Sequence, residues 1–121
     1  MGNYIDLCIQ PIPKKHVADY KKATKIIGQL LLKHGALSSS DYVADDKNAT
    51  SLSFPKKIKT KSNEVIIVAM AEFKSMAHRE QVFTKMMKDP KMEKFGMSPE
   101  WMDQKKMLMG GFKTMVNLKK K

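Results

Sequence analysis

The stretch Val65-Ile66-Ile67-Val68-Ala69-Met70-Ala71 is apolar at every position and runs between Glu64 and Glu72-Phe73. Its length and β-branched content predict a strand over Glu64–Phe73. A strand with one wet face alternates apolar and polar residues, whereas one that is apolar on both faces has to be covered on both. What covers this strand therefore sets the layers of the whole fold.

Upstream, Asn3 to Pro11 alternates, with Ile5, Leu7 and Ile9 on one side and Tyr4, Asp6, Cys8 and Gln10 on the other. That period of two marks a second strand. Pro11 and Pro13, which bring no N–H to a ladder, are expected to end it. From Lys14 to His34 the period changes. Val17, Tyr20, Ala23 or Thr24, Ile27, Leu30 or Leu31 and His34 recur at spacings of three and four, and Ile26 widens the stripe, as an amphipathic helix requires. Gly35 stands where a helix end takes a left-handed residue. A weaker strand follows over Ala36–Ala44, with Leu37 and Val43 on one face and Tyr42 on the other. Asp45-Asp46-Lys47-Asn48 is a turn cluster. Residues 47–63 read as a long hairpin connection with extended edge character.

Downstream, Ser75 is an N-cap for a helix through Lys88. Its inner face is Met76, Arg79 or Glu80, Phe83, and Met86 or Met87, and Asp89-Pro90 stops it. Lys91 to Phe95 forms one further turn, closed by Gly96. Met97 to Asp103, with Pro99 and Trp101, reads as an ordered loop. Lys105 to Val116 is a last strand whose Gly110-Gly111 pair implies a bulge or a close backbone approach.

The order is thus β-α-β-β-α-β. Two helices cannot cover both faces of four strands, so they pack on one, giving an α+β, ferredoxin-like antiparallel sheet with helices on one face. The other face then carries half the side chains of Glu64–Phe73, a larger apolar patch than a monomer exposes. Packing two such sheets face to face about a two-fold axis covers it. The expectation is a homodimer, a dimeric α+β barrel. Residues 1–116 form a single domain and 117–121 a basic tail without order.

Composition narrows the function classes. A chain of 121 residues is one domain. Cys8 is its only cysteine, which excludes an internal disulfide and a cysteine metal cluster. With no secretory segment and no apolar run of membrane-spanning length, the expected location is the cytoplasm, with no membrane partner. The net charge of +11 invites nucleic acid. Against that, Arg79 is the single arginine and the lysines are scattered along the chain. Arginine is the residue that clamps phosphate and reads guanine edges, so nucleic acid is disfavoured.

Several short stretches resemble one bacterial family. They are Tyr4-Ile5-Asp6, His34-Gly35-Ala36-Leu37, Asp45-Asp46, Ser53-Phe54, Met86 to Met92 reading MMKDPKM, and Lys106 to Phe112 reading KMLMGGF. Together, in this order, they resemble the YbaA-like family of uncharacterised proteins. The resemblance implies a ferredoxin-like fold and a dimeric α+β barrel, in agreement with the layer argument. It implies no particular activity.

The chemistry-bearing candidates are few. His16, His34 and His78 show no ligand spacing, and phosphate-loop and dinucleotide fingerprints are absent, so neither a metal nor a cofactor is expected. Asp6, inside the first strand, and Glu72, at the end of the most apolar one, are the candidate general bases if desolvated, and structural ion pairs otherwise. Arg79 is the residue suited to hold a carboxylate, from Asp6, Glu72 or Asp89 or from an anionic ligand. Tyr4 and Tyr20 are candidates to orient a polar ligand, and Met70 and Trp101 to line an apolar one. Ten of the eleven methionines lie from Met70 onward. They suit adaptable core packing better than soft-metal binding. The function read from these residues is binding of a small apolar or anionic molecule beside the sheet. The alternatives are a cofactor-independent monooxygenase- or isomerase-like enzyme using a buried carboxylate, and non-specific nucleic-acid binding through lysines.

Overall fold

The computed structural model describes residues 3–45, 54–95, 99–102 and 104–120. Its elements are β1 (Tyr4–Pro13), α1 (Val17–Lys33), β2 (Ser38–Val43), α2 (Phe54–Ile58), β3 (Glu64–Phe73), α3 (Met76–Met87), α4 (Pro90–Phe95) and β4 (Leu108–Lys113), with 3-10 turns at Lys14–His16 and Gln104–Lys106. The strands form one antiparallel sheet in the order β2-β3-β1-β4. This is the ferredoxin-like arrangement, with the apolar strand β3 and its partner β1 in the centre.

Local chemistry explains the boundaries. In α1, Gly35 at φ +117 closes the helix: its N–H reaches Leu32 O at 3.2 Å, and the Ala36 N–H reaches Leu31 O at 2.9 Å. This pair of bonds satisfies carbonyls that the helix end would leave free. In α3, the Ser75 hydroxyl accepts the His78 N–H at 3.0 Å, as expected of an N-cap. Pro90 opens α4, a position where its missing N–H costs nothing.

The register of β1 pairs Tyr4 with Phe73 and Pro13 with Glu64. Tyr4, Asp6, Cys8, Gln10 and Ile12 face the helices. Two clusters fill that layer. Leu30, Leu31, Ala71, Phe73, Val82 and Met86 form one, with Tyr4 and Phe83 against it. Ile12, Tyr20 and Ile67 form the other, with Val17, Trp101 and Met102. Ile5, Leu7 and Ile9 of β1, Val68, Met70 and Glu72 of β3, and Leu108 and Phe112 of β4 point to the opposite face, by the alternation of a pleated strand.

Some expectations change. β1 continues through both prolines. β4 pairs with β1 only as far as Ile9, so Pro11 and Pro13 occupy a stretch with one free side, where a missing N–H is tolerated. Within the expected hairpin connection, residues 46–53 lie outside the described residues, and Phe54–Ile58 is a helical turn rather than extended chain. Pro55 near its start favours that conformation, and Lys59 at φ 59 ends it. α2 packs on β3, and Ile66 and Pro11 are buried although they face away from the long helices. One end of the second face is therefore covered within the chain.

Ile26 and Leu37 are exposed, as are Met76 and Met87. α3 instead turns Arg79, Val82, Phe83 and Met86 inward, a stripe shifted from the expected one by Val82. β4 is shorter than Lys105–Val116 and contains no bulge: Gly110 and Gly111 pair in continuous register with Leu7 and Asp6. The close approach is real. A Cβ on Gly111 would overlap the Tyr4 ring and hydroxyl, so this strand passes Tyr4 only as glycine. The expected turn residues 46–48, and Gly96 with its neighbours 97 and 98, lie outside the described residues. Among the described residues, no helix is long and apolar enough to cross a membrane.

Candidate functional site

The sheet divides the residues that sequence reading had gathered into one pocket. Asp6 and Tyr4 lie on the helix side; Met70 and Glu72 lie on the other. The reason is register. Asp6 pairs with Ala71, so Glu72 sits one residue out of step and faces the opposite way.

Asp6 is engaged from within the chain. Arg79 approaches it with Nε at 3.3 Å from Oδ1 and Nη2 at 3.3 Å from Oδ2. The Nε contact has ion-pair distance without hydrogen-bond alignment, so the Nη2 bond is the directional one. The same guanidinium donates to Glu80 at 2.7 Å and lies 4.5 Å over the Phe83 ring. Arg79 thus ties α3 to β1 as a structural cation. Glu72 accepts from Asn3 Nδ2 at 3.0 Å and from Ser38 Oγ at 3.5 Å, which links the ends of three strands. Neither carboxylate is arranged as a free base. Trp101 stacks on His16, with ring centres 4.9 Å apart and planes at 7°, and packs at the Ile12–Tyr20 end, far from Asp6 in the register.

A second acid joins the helices. Asp89, at the start of α4, is buried to 5% exposure. It receives Lys33 Nζ at 2.9 Å, His34 Nε2 at 2.8 Å and the Lys91 N–H at 2.9 Å. The Lys33 and Lys91 donors, followed by His34, hold its carboxyl far below the usual carboxylate range. Folding therefore favours the ionised form. Its stabilisation is complete above the ordinary aspartate pKa of about 4 and is lost as pH falls below it. In denaturation curves, the stability gap between the natural chain and Asp89→Asn is expected to be widest near pH 6 and to shrink by pH 3. A gap independent of pH would contradict the assignment.

The cleft worth most attention lies between α1 and the sheet. It has a volume of about 340 Å³; Cys8, Gln10 and Ala69 form its floor, Ala23, Thr24 and Ile27 of α1 one wall, and Met92 and Met102 another. This is the size of small-molecule sites. Tyr20 and Thr24 separate it from a second cleft of about 330 Å³ against β2. Both hydroxyls donate to Asp41, Tyr20 at 3.1 Å and Thr24 at 2.9 Å. Burial, then the Asp41 charge, pushes the Tyr20 hydroxyl well above its ordinary pKa. Burial raises the Cys8 thiol too, with Asp6 and Asp41 adding to it, which disfavours the thiolate that a nucleophile needs.

Gln10 is the unusual member. It is 4% exposed, and its Oε1 is shielded from water and has no partner among the described residues. Its side chain lies beside the Tyr20 hydroxyl, whose one hydrogen is committed to Asp41. An orphaned buried acceptor costs about 1–3 kcal/mol. Sequence reading missed Gln10 and Asp41. The only signal was that Tyr20 and Thr24, four residues apart, share one helix face.

These features define a ferredoxin-like α+β protein with a lined cleft between its first helix and its sheet. The chain belongs to the DUF1428 family, described as a protein of unknown function, whose model matches residues 3–106. It is 27% identical over 115 residues to the uncharacterized protein YbaA of Escherichia coli strain K12, across 94% of this chain and 97% of that one; the Shigella flexneri YbaA matches equally. Among solved structures, it is similar to a dimeric ferredoxin-like protein from an uncultured marine organism, with a TM-score of 0.52 and 11% identity over 98% of this chain and 99% of that one. The family resemblance seen in the sequence and the fold expected from it both hold.

Proposed function

We propose that this protein is a homodimer whose cleft beneath α1 binds a small, largely apolar molecule. The observation that carries the reading is the cleft of about 340 Å³ itself, floored by Cys8 and Ala69, walled by Ala23, Ile27, Met92 and Met102, and edged by the Tyr20 and Thr24 hydroxyls. Asp6 and Glu72 are engaged with Arg79 and with Asn3 and Ser38, which favours binding over base catalysis.

The dimer is supported by the second sheet face. Ile5, Leu7, Ile9, Val68 and Met70 lie on it, with Leu108 and Phe112 each 54% exposed at its β4 edge. α2 covers only the Ile66 end. The similar marine protein is described as dimeric, and sheet-to-sheet pairing leaves the cleft on the outer, helical side of each subunit.

Ala23→Leu, which narrows the wall of the cleft, tests the binding reading. In a thermal-shift screen of small acids, alcohols, amines and quinones, compounds at tenfold excess over Kd are expected to add about 1.4 kcal/mol to the natural chain. The same compounds should leave Ala23→Leu unmoved. Hits that stabilise Ala23→Leu as much as the natural chain, or a screen without a hit, would refute the proposal.

A further inference from the structure

We infer that the C-terminal arm after β4 docks on a second copy of this chain, as an added strand along the outer edge of that copy's β2. The inference rests on the homodimer reading above and names what each arm does in that dimer.

The arm begins where the sheet releases the chain. Thr114 is tied to Asn3, its N–H and its hydroxyl donating to Asn3 O at 2.9 and 2.7 Å. The chain then bends at Met115 and enters no further helix or strand through Lys120. Met115 is 93% exposed and Leu118 89%, with Val116 exposed between them. Three large apolar side chains within four residues thus gain almost nothing from their own subunit. The β2 of the same chain lies on the far side of β1 and β3 from β4.

A second copy offers two open sheet edges, β2 and β4. Charge separates them. Lys119 and Lys120 follow the apolar residues of the arm. β4 is flanked by Lys105, Lys106 and Lys113, which repel them, whereas β2 carries Asp41 with Asp45 just beyond it. Shape agrees. Beside β2 lies the cleft of about 330 Å³, walled by Val17, Tyr20, Val43 and Ile67, with Lys21 as the one cation among its lining residues. In an extended arm Val116, Leu118 and Lys120 share one face and Met115 takes the other. Laid along β2, the first face turns Val116 and Leu118 into the cleft and Lys120 toward Asp41 or Asp45. Met115 then meets Tyr42, which is exposed and pairs with Val68 on the open sheet face. Each copy gives one arm and receives one, as a two-fold dimer requires.

Dimers assembled from one copy with carbon-13 methionine methyls and one unlabelled copy report contacts between subunits in isotope-filtered NMR. The Met115 methyl, identified by its loss in Met115→Leu, is expected to show cross-peaks to the partner's Tyr42. In the full-length chain, Met115→Ser, Val116→Ser and Leu118→Ser together should raise the dimer dissociation constant about a hundredfold or more, with circular dichroism unchanged. Lys119→Glu with Lys120→Glu should raise it about tenfold at low salt, and Asp45→Lys should restore it.

Cross-peaks from Met115 confined to its own subunit, or reaching β4 of the partner instead, would overturn the inference. So would a triple variant that dimerises as tightly as the natural chain, or a charge reversal that Asp45→Lys leaves unrepaired. The homodimer reading survives those results as long as Leu7→Lys, on the open sheet face, still halves the mass. A natural chain that is monomeric at tens of micromolar ends both.

Discussion

Leu7→Lys is expected to turn a protein of twice the 13.8 kDa chain mass into a monomer of that mass. Leu7 sits mid-strand on the face away from the long helices, paired with Met70 of β3 and Gly110 of β4. An ammonium placed there is driven into apolar surface without a partner, which costs several kcal/mol per subunit. The dissociation constant should rise by roughly a thousandfold or more. Light scattering coupled to size exclusion reads the change directly. Lys21→Glu, on the exposed side of α1, should leave the mass unchanged. A natural chain that already elutes as a monomer at tens of micromolar, or a Leu7→Lys variant that stays dimeric, defeats the sheet-to-sheet arrangement. A Leu7→Lys chain that keeps its helical circular dichroism while halving its mass would show that the helix-side core is enough to hold the fold.

Phe73→Ala should be the most damaging change inside that core. Phe73 is 0% exposed, ends β3, and meets the rings of His78 and Phe83 at 6.0 and 5.9 Å. Truncation removes its packing and leaves a void that β3 and α3 close only in part. The expected loss is about 3–5 kcal/mol. For a domain of this size, that is a fall in melting temperature of roughly 10–25 °C. Phe73→Leu, which keeps most of the volume, should cost about 1.5 kcal/mol or less. Equal melting temperatures for Phe73→Ala and the natural chain would mean that α3 does not seat where it is described. The Arg79–Asp6 link would then fail as well, because Arg79 is carried by the same helix.

The layers were legible in the sequence because periodicity reports them. The strict alternation from Tyr4 to Gln10, the three- and four-residue spacing through α1, and the unbroken apolar run in β3 each state how many sides of an element must be dry. Gly35 and Ser75 announced helix ends because their chemistry is local. The expected stripe of α3 held at Arg79, Phe83 and Met86 and missed Val82, because Met76 and Met87 are as apolar as Val82 and composition alone does not say which way a helix of 12 residues rolls. The short helix α2 was missed because five residues carry too little periodicity to register.

The site was less legible, and Asp6 and Glu72 show why. Each was correctly placed on a central strand, and those strands are neighbours. Their one-residue offset put them on opposite faces, and it depends on how β1 and β3 slide against each other across more than sixty residues of intervening chain. Gln10 looked like an ordinary polar residue at the end of a strand. Its place beside the Tyr20 hydroxyl, which donates to Asp41 on a third element, was set only by folding. By itself, then, the sequence determined the order of elements, the central place of β3 and the two-sided dryness that a sheet with helices on one face cannot satisfy alone. Only the tertiary structure decided register, the roll of α3 and the partners of each buried polar atom. Periodicity is a property of one segment, whereas those three depend on distances between segments that meet only after folding.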